Sequence, residues 1–276
     1  MTSSRARLEV EATGPGTGVI AAAASQPQRW GAVRQTGGWV EAVHQLLGDG
    51  VFAGDVQRTS IIARHDAHLV VRGLTATPAR RGADGGRTAS AIVTHIRAEV
   101  GATVIHLPGP LLPQAGADHT AALRIEVQTG ARVLAATIIV PGRTGMQERG
   151  DFERLRLRTV AHVAGALAFA EDADFRPATA GIDGPAVFNG FGAALSILVL
   201  GAWDAATVEW WSSFGHDRLV GGATPLRSGG VCVRALGRTL GDVLEALATI
   251  EARARALPRQ SGEQLAAAVH AAADIT

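Results

Sequence analysis

The sequence contains no lysine and no tyrosine, and among its 276 residues there is a single cysteine. Each absence closes off some chemistry. Without lysine there is no P-loop, whose lysine contacts the phosphates, and no pyridoxal Schiff base. Cys232 alone makes neither an internal disulfide nor a thiolate metal cluster, which fits a reducing compartment. Its setting, Val231-Cys232-Val233, predicts a buried and inert thiol. Long hydrophobic runs are missing too. The longest, Ala193 to Trp203, is too short to cross a bilayer, and Met1 to Gly14 alternates charged and apolar residues with no export-type core. The expected location is the cytoplasm. Charge of one sign is equally scarce: 26 arginines against 25 acids leave a net charge of +1, so no whole-molecule field recruits nucleic acid or an anionic membrane.

What the chain does have is a recurring strand pattern. Arg5 to Ala12 alternates charged and apolar side chains, the period of a strand with one face in water. Gly14-Pro15-Gly16 breaks it and Gly18 to Ala24 resumes an extended run. Three similar units follow. Val56 to Ala63, the turn Arg64-His65-Asp66 and Ala67 to Val71 form one hairpin-like unit. Ser90 to Arg97, the turn around Val100-Gly101 and Ala102 to Leu107 form a second, and Ala122 to Val127, Gln128-Thr129-Gly130 and Ala131 to Val140 a third. An alanine opens the second strand each time, so the period is roughly 30 to 35 residues. The first strand of each unit is more polar than the second, as expected for an outer and an inner layer. The expected fold is mainly β, with stacked, β-helix-like strand layers; an ordinary meander or sandwich with evenly spaced turns is the alternative.

Further on, Phe152 to Thr159 alternates strictly and puts Arg154, Arg156 and Arg158 on one face. The region from His162 to Ala170 is strand-like, Ala202 to Ser213 suits a short helix, and Gly230 to Leu236 suits a last strand. Val243, Leu244, Leu247 and Ile250 recur at helical spacing within Thr239 to Leu257. Ser261 and Gln264 resemble a capping box opening a final helix through Ala273. One or two helices near the C-terminus are thus expected, with 261–276 a loosely held helix on a single domain spanning 1–276.

Few constellations suggest catalysis. Gly48-Asp49-Gly50-Val51-Phe52-Ala53 matches a relaxed dinucleotide pattern, yet a strand follows where that motif must open a helix. A glycine-built tight loop is the better reading. His65 and His68, beside Asp66, offer donors that suit nickel or zinc; solvated turn histidines are the alternative. No serine has the flanks of a nucleophile elbow. Arg143 and Glu148, five apart in a loop, form either a buried ion pair or an interface contact. The ladder of Arg154, Arg156 and Arg158 fits an acidic partner or phosphates, or else a solvated strand face.

Several of these segments, spread over most of the chain, resemble the urease accessory protein D family (UreD, also called UreH). Gly50-Val51-Phe52-Ala53-Gly54-Asp55 is similar to the family's glycine-rich segment, with Asp49 in place of its first glycine, and Leu74-Thr75-Ala76-Thr77 stands where the family has a threonine-rich strand. Leu112 to Ala117, with its proline before a Gly-Ala pair, and the Pro141-Gly142-Arg143 loop with Glu148 and Phe152 also resemble family segments, as does Val231 to Gly237. The lysine and tyrosine usual after the threonine strand are missing here. The resemblance implies a strand-rich, β-helix-like fold crossed by a water-filled passage. It also implies a non-enzymatic nickel-insertion chaperone that works with UreF and UreG on apo-urease, holds no tightly bound cofactor and lets nickel pass transiently. On this reading Gly50 and Gly54 shape a loop with Asp55 as a fixed carboxylate, and Arg143 and Glu148 form an internal pair. Two other readings stay open. One is an enzyme with a dispersed site drawn from His65, His68 and Asp66 or from Arg143 and Glu148; the other is an interaction module unrelated to urease.

Overall fold

A strand whose inward face is apolar must find a second apolar surface to cover it, and the three repeated units do so by facing one another across two sheets. The computed structural model describes residues 2–14, 16–82, 88–185, 187–203, 209, 218–227 and 229–256. The short helix expected at Ala202 to Ser213 falls mostly, and the final helix from Ser261 wholly, outside the described residues.

The first sheet contains β1 (Ser3–Thr13), β2 (Gly16–Ala24), β6 (Val56–Ala63), β9 (Ser90–Ala98), β12 (Asp118–Val127), β14 (Arg154–Val163) and β15 (Ala166–Phe175), in the order β15-β14-β12-β9-β6-β1-β2. The second runs β17 (Leu219–Pro225), β18 (Val231–Gly237), β16 (Ala193–Gly201), β13 (Arg132–Ile139), β10 (Thr103–Leu107), β7 (His68–Gly73), β4 (Trp39–Leu46) and β3 (Gln28–Thr36). Three short strands, β5 (Val51–Phe52), β8 (Thr77–Arg80) and β11 (Leu111–Pro113), pair in parallel along a corner of the second sheet.

The units are therefore not hairpins. β6 lies between β1 and β9, and β7 between β4 and β10, all in parallel. Each unit is one rung of a coil: a strand in the first sheet, a corner, a strand in the second, and a return. Period-two alternation says that a strand has one buried face, and it is silent on whether the following strand lies beside it or opposite. The partners' register reveals the repeat. Val56 pairs with Ala91 and His68 with Thr103, an offset of 35 residues in both sheets; Ser90 pairs with His119 and Thr103 with Arg132, an offset of 29.

The corners repeat the same hydrogen bond. Ala67 N–H donates to the Arg64 carbonyl (3.0 Å), Ala102 to Glu99 (2.9 Å) and Ala131 to Gln128 (3.0 Å). All three alanines are fully buried, because the turn brings this side chain into the space between the sheets where nothing larger fits. Asp66, Gly101 and Gly130 occupy the left-handed position just before them.

Burial explains why the second strands are the more apolar. One core lies between the sheets, with Leu8, Ile61, Ile96 and Ile125 facing Leu69, Val104 and Val133. A second core covers the other side of the second sheet, where Val70, Ile105, Leu134 and Ile197 meet Val243, Leu247 and Ile250 of a helix. Strands buried on both faces lose their alternation. That helix, α2 (Leu240–Ala256), follows a single-turn α1 (Pro177–Ala180) in chain order. Thr239 caps it by accepting from Asp242 N–H (3.2 Å), while Asp242 accepts from Thr239 N–H (2.9 Å), a reciprocal cap. Leu244, which shares the helical spacing, faces outward instead. Arg72, Glu41, Glu251 and Arg255 form a linked ion-pair network that ties the end of α2 to β4 and β7.

Candidate functional site

Two loops singled out by the sequence turn out to be built as rigid units. Phe52 to Asp55 is a tight turn in which Asp55 N–H donates to the Phe52 carbonyl (2.9 Å) and Gly54 takes a φ of 83°. The Asp55 carboxylate accepts from Phe52 N–H (3.2 Å) and from Thr2 N–H (2.7 Å), so this fixed carboxylate fastens the start of β1 to the loop. Gly50 lets its backbone press against Pro78: a Cβ there would lie 2.3 Å from the Pro78 carbonyl oxygen.

In the second loop, Arg143 and Glu148 make a two-pronged pair, Nε to Oε2 at 2.7 Å and Nη2 to Oε1 at 2.6 Å. The Arg143 guanidinium holds the Glu148 carboxyl below the usual range, against the opposing effect of burial. The bracket closes the short turn Thr144–Met146 and displays Met146, 66% exposed, at its tip. Arg149 fastens the same loop to Asp183 and to the Phe191 carbonyl. Replacing Arg143 by alanine is expected to loosen this turn without unfolding the sheets. Limited trypsin digestion should then cut after Arg149 sooner than in the parent protein, and an unchanged digestion course would argue against the bracket.

The arginine ladder is largely neutralised by its neighbour strand. Arg154 pairs with Asp174 (2.8 Å) and Arg156 with Asp172 (2.7 Å), each reaching diagonally from β14 to β15. Arg158 lies 3.4 Å from Asp172 and is more exposed than the other two. These are surface pairs, with arginine and aspartate alternating across the two strands.

His65 and His68 do not converge. The His65 side chain is 69% exposed, with Nδ1 3.1 Å from a Glu99 carboxylate oxygen. His68 is buried against Trp39, ring centroids 5.1 Å apart, while His65 lies in solvent. Among the described residues no three His, Cys, Asp or Glu side chains gather as a metal cluster.

The most distinctive polar feature lies between the sheets. A cavity of about 130 Å³ is walled by Gln57, Thr59, Thr94, Leu123 and Thr159 from the first sheet and by His44, Val71, Gly73, His106 and Thr137 from the second, with Thr75 and Thr77 at the corner. Thr59 pairs with Thr94, and Leu123 lies between Thr94 and Thr159, so hydroxyls recur across the strands. Burial pushes His44 down to about 4 and His106 to about 3, His106 being lowered further by His44. Both rings are neutral at pH 7. A second cavity of about 540 Å³ shares Leu123, Thr137, Leu157 and Thr159 with the first, so the two adjoin. Phe169, Phe175, Phe188 and Leu195 give it an apolar wall, and an ion pair from Arg234 on β18 to Glu171 on β15 bridges the two sheets beside it.

The sequence reading missed these cavity residues. Each arrives from a different strand, and the only trace is a polar side chain at an inward position, as in Thr59, Thr94 and His106.

Comparison with known proteins decides the family. The model for "UreD urease accessory protein" matches residues 3–267. The chain belongs to the UreD family. It is 34% identical over 223 residues to the urease accessory protein UreD of Parafrankia sp. (strain EAN1pec), covering 72% of each chain. It is 27% identical over 208 residues to the UreD of Natronomonas pharaonis, covering 72% of this chain and 67% of that one. Over 147 residues it is 31% identical to "Urease accessory protein UreD 1" of Saccharopolyspora erythraea, covering 51% of this chain and 56% of that one. Membership makes this an accessory protein rather than an enzyme. No helix among the described residues is long and apolar enough to cross a membrane.

Proposed function

We propose that this chain is a nickel-insertion chaperone of the cytoplasm, a scaffold that docks on apo-urease with UreF and UreG while nickel is delivered to the active site. The observation that carries this reading is the adjoining pair of cavities between the sheets. A divalent ion in transit needs lone pairs that stay unprotonated and walls that do not hold it for long. Neutral imidazoles and hydroxyls meet that need, whereas three or four converging carboxylates or thiolates would trap the ion. Nickel is cargo here, and no resident cofactor is proposed.

The surface supports a docking role as well. Gly50, Gly54 and Asp55 stiffen one loop, and Arg143 and Glu148 stiffen another that displays Met146, so partners meet preformed shapes with little ordering cost. Arg154, Arg156 and Arg158 offer a strand face whose arginines can exchange their Asp172 and Asp174 partners for a partner's acids. The Arg143 and Glu148 pair saturates itself, which leaves neither group available for acid or base chemistry.

Deleting the chain from a urease-producing cell should leave urease protein at normal abundance but nickel-poor and inactive. The check is metal analysis of purified urease alongside an activity assay. Full nickel loading in the deletion strain would overturn the proposal.

A further inference from the structure

His44 sits in an unusual hydrogen-bond setting, and following it assigns the ring's lone pair. Gln28 is buried, and its amide nitrogen donates to the Ser4 hydroxyl (2.9 Å) and to the Arg58 carbonyl (3.3 Å). A backbone carbonyl only accepts, so the amide orientation is settled and Oε1 must face the other way. That oxygen accepts from the Thr59 hydroxyl (2.8 Å) and lies 3.0 Å from His44 Nε2. His44 Nε2 therefore carries the proton, and Nδ1 carries the lone pair. The ring is further held against Trp30, centroids 4.9 Å apart.

Histidine ligands of metal ions are oriented by an acceptor on the other ring nitrogen, usually a carboxylate, a backbone carbonyl or water, and the Gln28 amide oxygen stands in that place here. Nearby, buried Nδ1 of His106 has no hydrogen-bond partner, and neither has buried Nε2 of Gln57; both residues line the same cavity as His44. His44 is level with Gly73 on the intervening strand, and His106 is level with Val71. That register puts the two histidine Cα atoms about 12 Å apart, two strands across and one residue pair along. Gly73 contributes no side chain to the space between them.

We propose that His44 and His106 are two successive seats for a partly hydrated divalent transition-metal ion, with Gln28 as the positioning residue for the first. This deepens the proposed function, since it rests on the cavity being a route for nickel. One protein nitrogen per seat, with water or Thr59 completing the shell, gives weak and exchangeable binding. It also gives the buried, unpartnered imidazole nitrogen of His106 an occupant in the interior, where such a group is costly.

The test uses the full-length chain and Ni²⁺ itself. In imidazole ¹H–¹⁵N NMR spectra, substoichiometric paramagnetic Ni²⁺ should broaden the His44 and His106 rings first, with exposed His65 as the internal control. Gln28→Met should leave the fold intact by amide spectra, change the His44 tautomer pattern in its ¹⁵N shifts, and raise the Ni²⁺ needed to broaden that ring about tenfold. Broadening of His65 ahead of unchanged His44 and His106 signals would overturn the seats. So would a Gln28→Met spectrum showing the altered tautomer with undiminished broadening at His44. Either result leaves the accessory role standing, because that role falls only if urease is fully loaded when the chain is deleted.

Discussion

Lowering the pH from 7 to 5 is expected to cost this protein about 6 kcal/mol of folding stability, most of it before its carboxylates begin to titrate. Three histidines are responsible. Burial holds His119 at about 4, as it does His44, and His106 at about 3. The unfolded chain titrates histidine near 6.5, so below that pH it takes up protons that the folded state refuses, and the balance moves toward unfolding. Each ring contributes about 2 kcal/mol by pH 5. The loss begins as pH falls through the unfolded value and continues down to the folded ones. Glu9, Glu148 and Asp183 have lowered values, so their contribution is intact above the unfolded carboxylate range and disappears only at lower pH still. Urea denaturation at pH 7, 6 and 5 checks this. His119 donates or accepts at 2.7 Å with Ser90 and faces no solvent, so His119→Gln should remove about a third of the dependence. Equal stability at pH 7 and pH 5 would refute the account.

Gly109→Ala is expected to be the most damaging single methyl addition in the coil. A Cβ at Gly109 would stand 1.9 Å from the Thr75 carbonyl oxygen, and one at Gly73 would stand 2.0 Å from Gly109 N. Two corners of successive rungs stack backbone on backbone here, with no flexible side chain able to give way. The substitution should cost about 3 kcal/mol or more, read as a lowered urea midpoint or as insoluble protein. Gly145→Ala is the control, since a Cβ there meets nothing within 4 Å, and its midpoint should match the parent's. A Gly109→Ala protein as stable as that control would show that the corners are not held in contact.

Much of the coil was legible because its signals are local. The alternation of β1, β6 and β14, the alanine that opens β7, β10 and β13, and the helical spacing of Val243, Leu247 and Ile250 all follow from neighbours in sequence. The pair Arg143 and Glu148 was legible for the same reason, being five residues apart. Partnerships across strands were not. Arg154 and Arg156 stood out as a basic ladder, yet Asp172 and Asp174 neutralise it only because β15 folds back antiparallel. Whether the two strands of a unit pair with each other or lie in opposite layers was less legible, since alternation reports a buried face and not the identity of the neighbouring strand; the layered arrangement is the one the fold has. His44, Gln28 and His106 come together from β4, β3 and β10, and no spacing links them.

The change of strand direction at both ends of the coil bears on what happens between molecules. β1 to β14 in the first sheet and β4 to β13 in the second stack in parallel, a geometry that invites further rungs without limit. Antiparallel strands close the array on each side: β2 and β3 at one end, β15, β16, β18 and β17 at the other. A further parallel rung would have to displace an antiparallel strand already hydrogen-bonded to the outermost one. A copy added end to end meets β2, β15, β3 or β17, none of them a strand of a rung, so the parallel repeat does not run on from one molecule into the next.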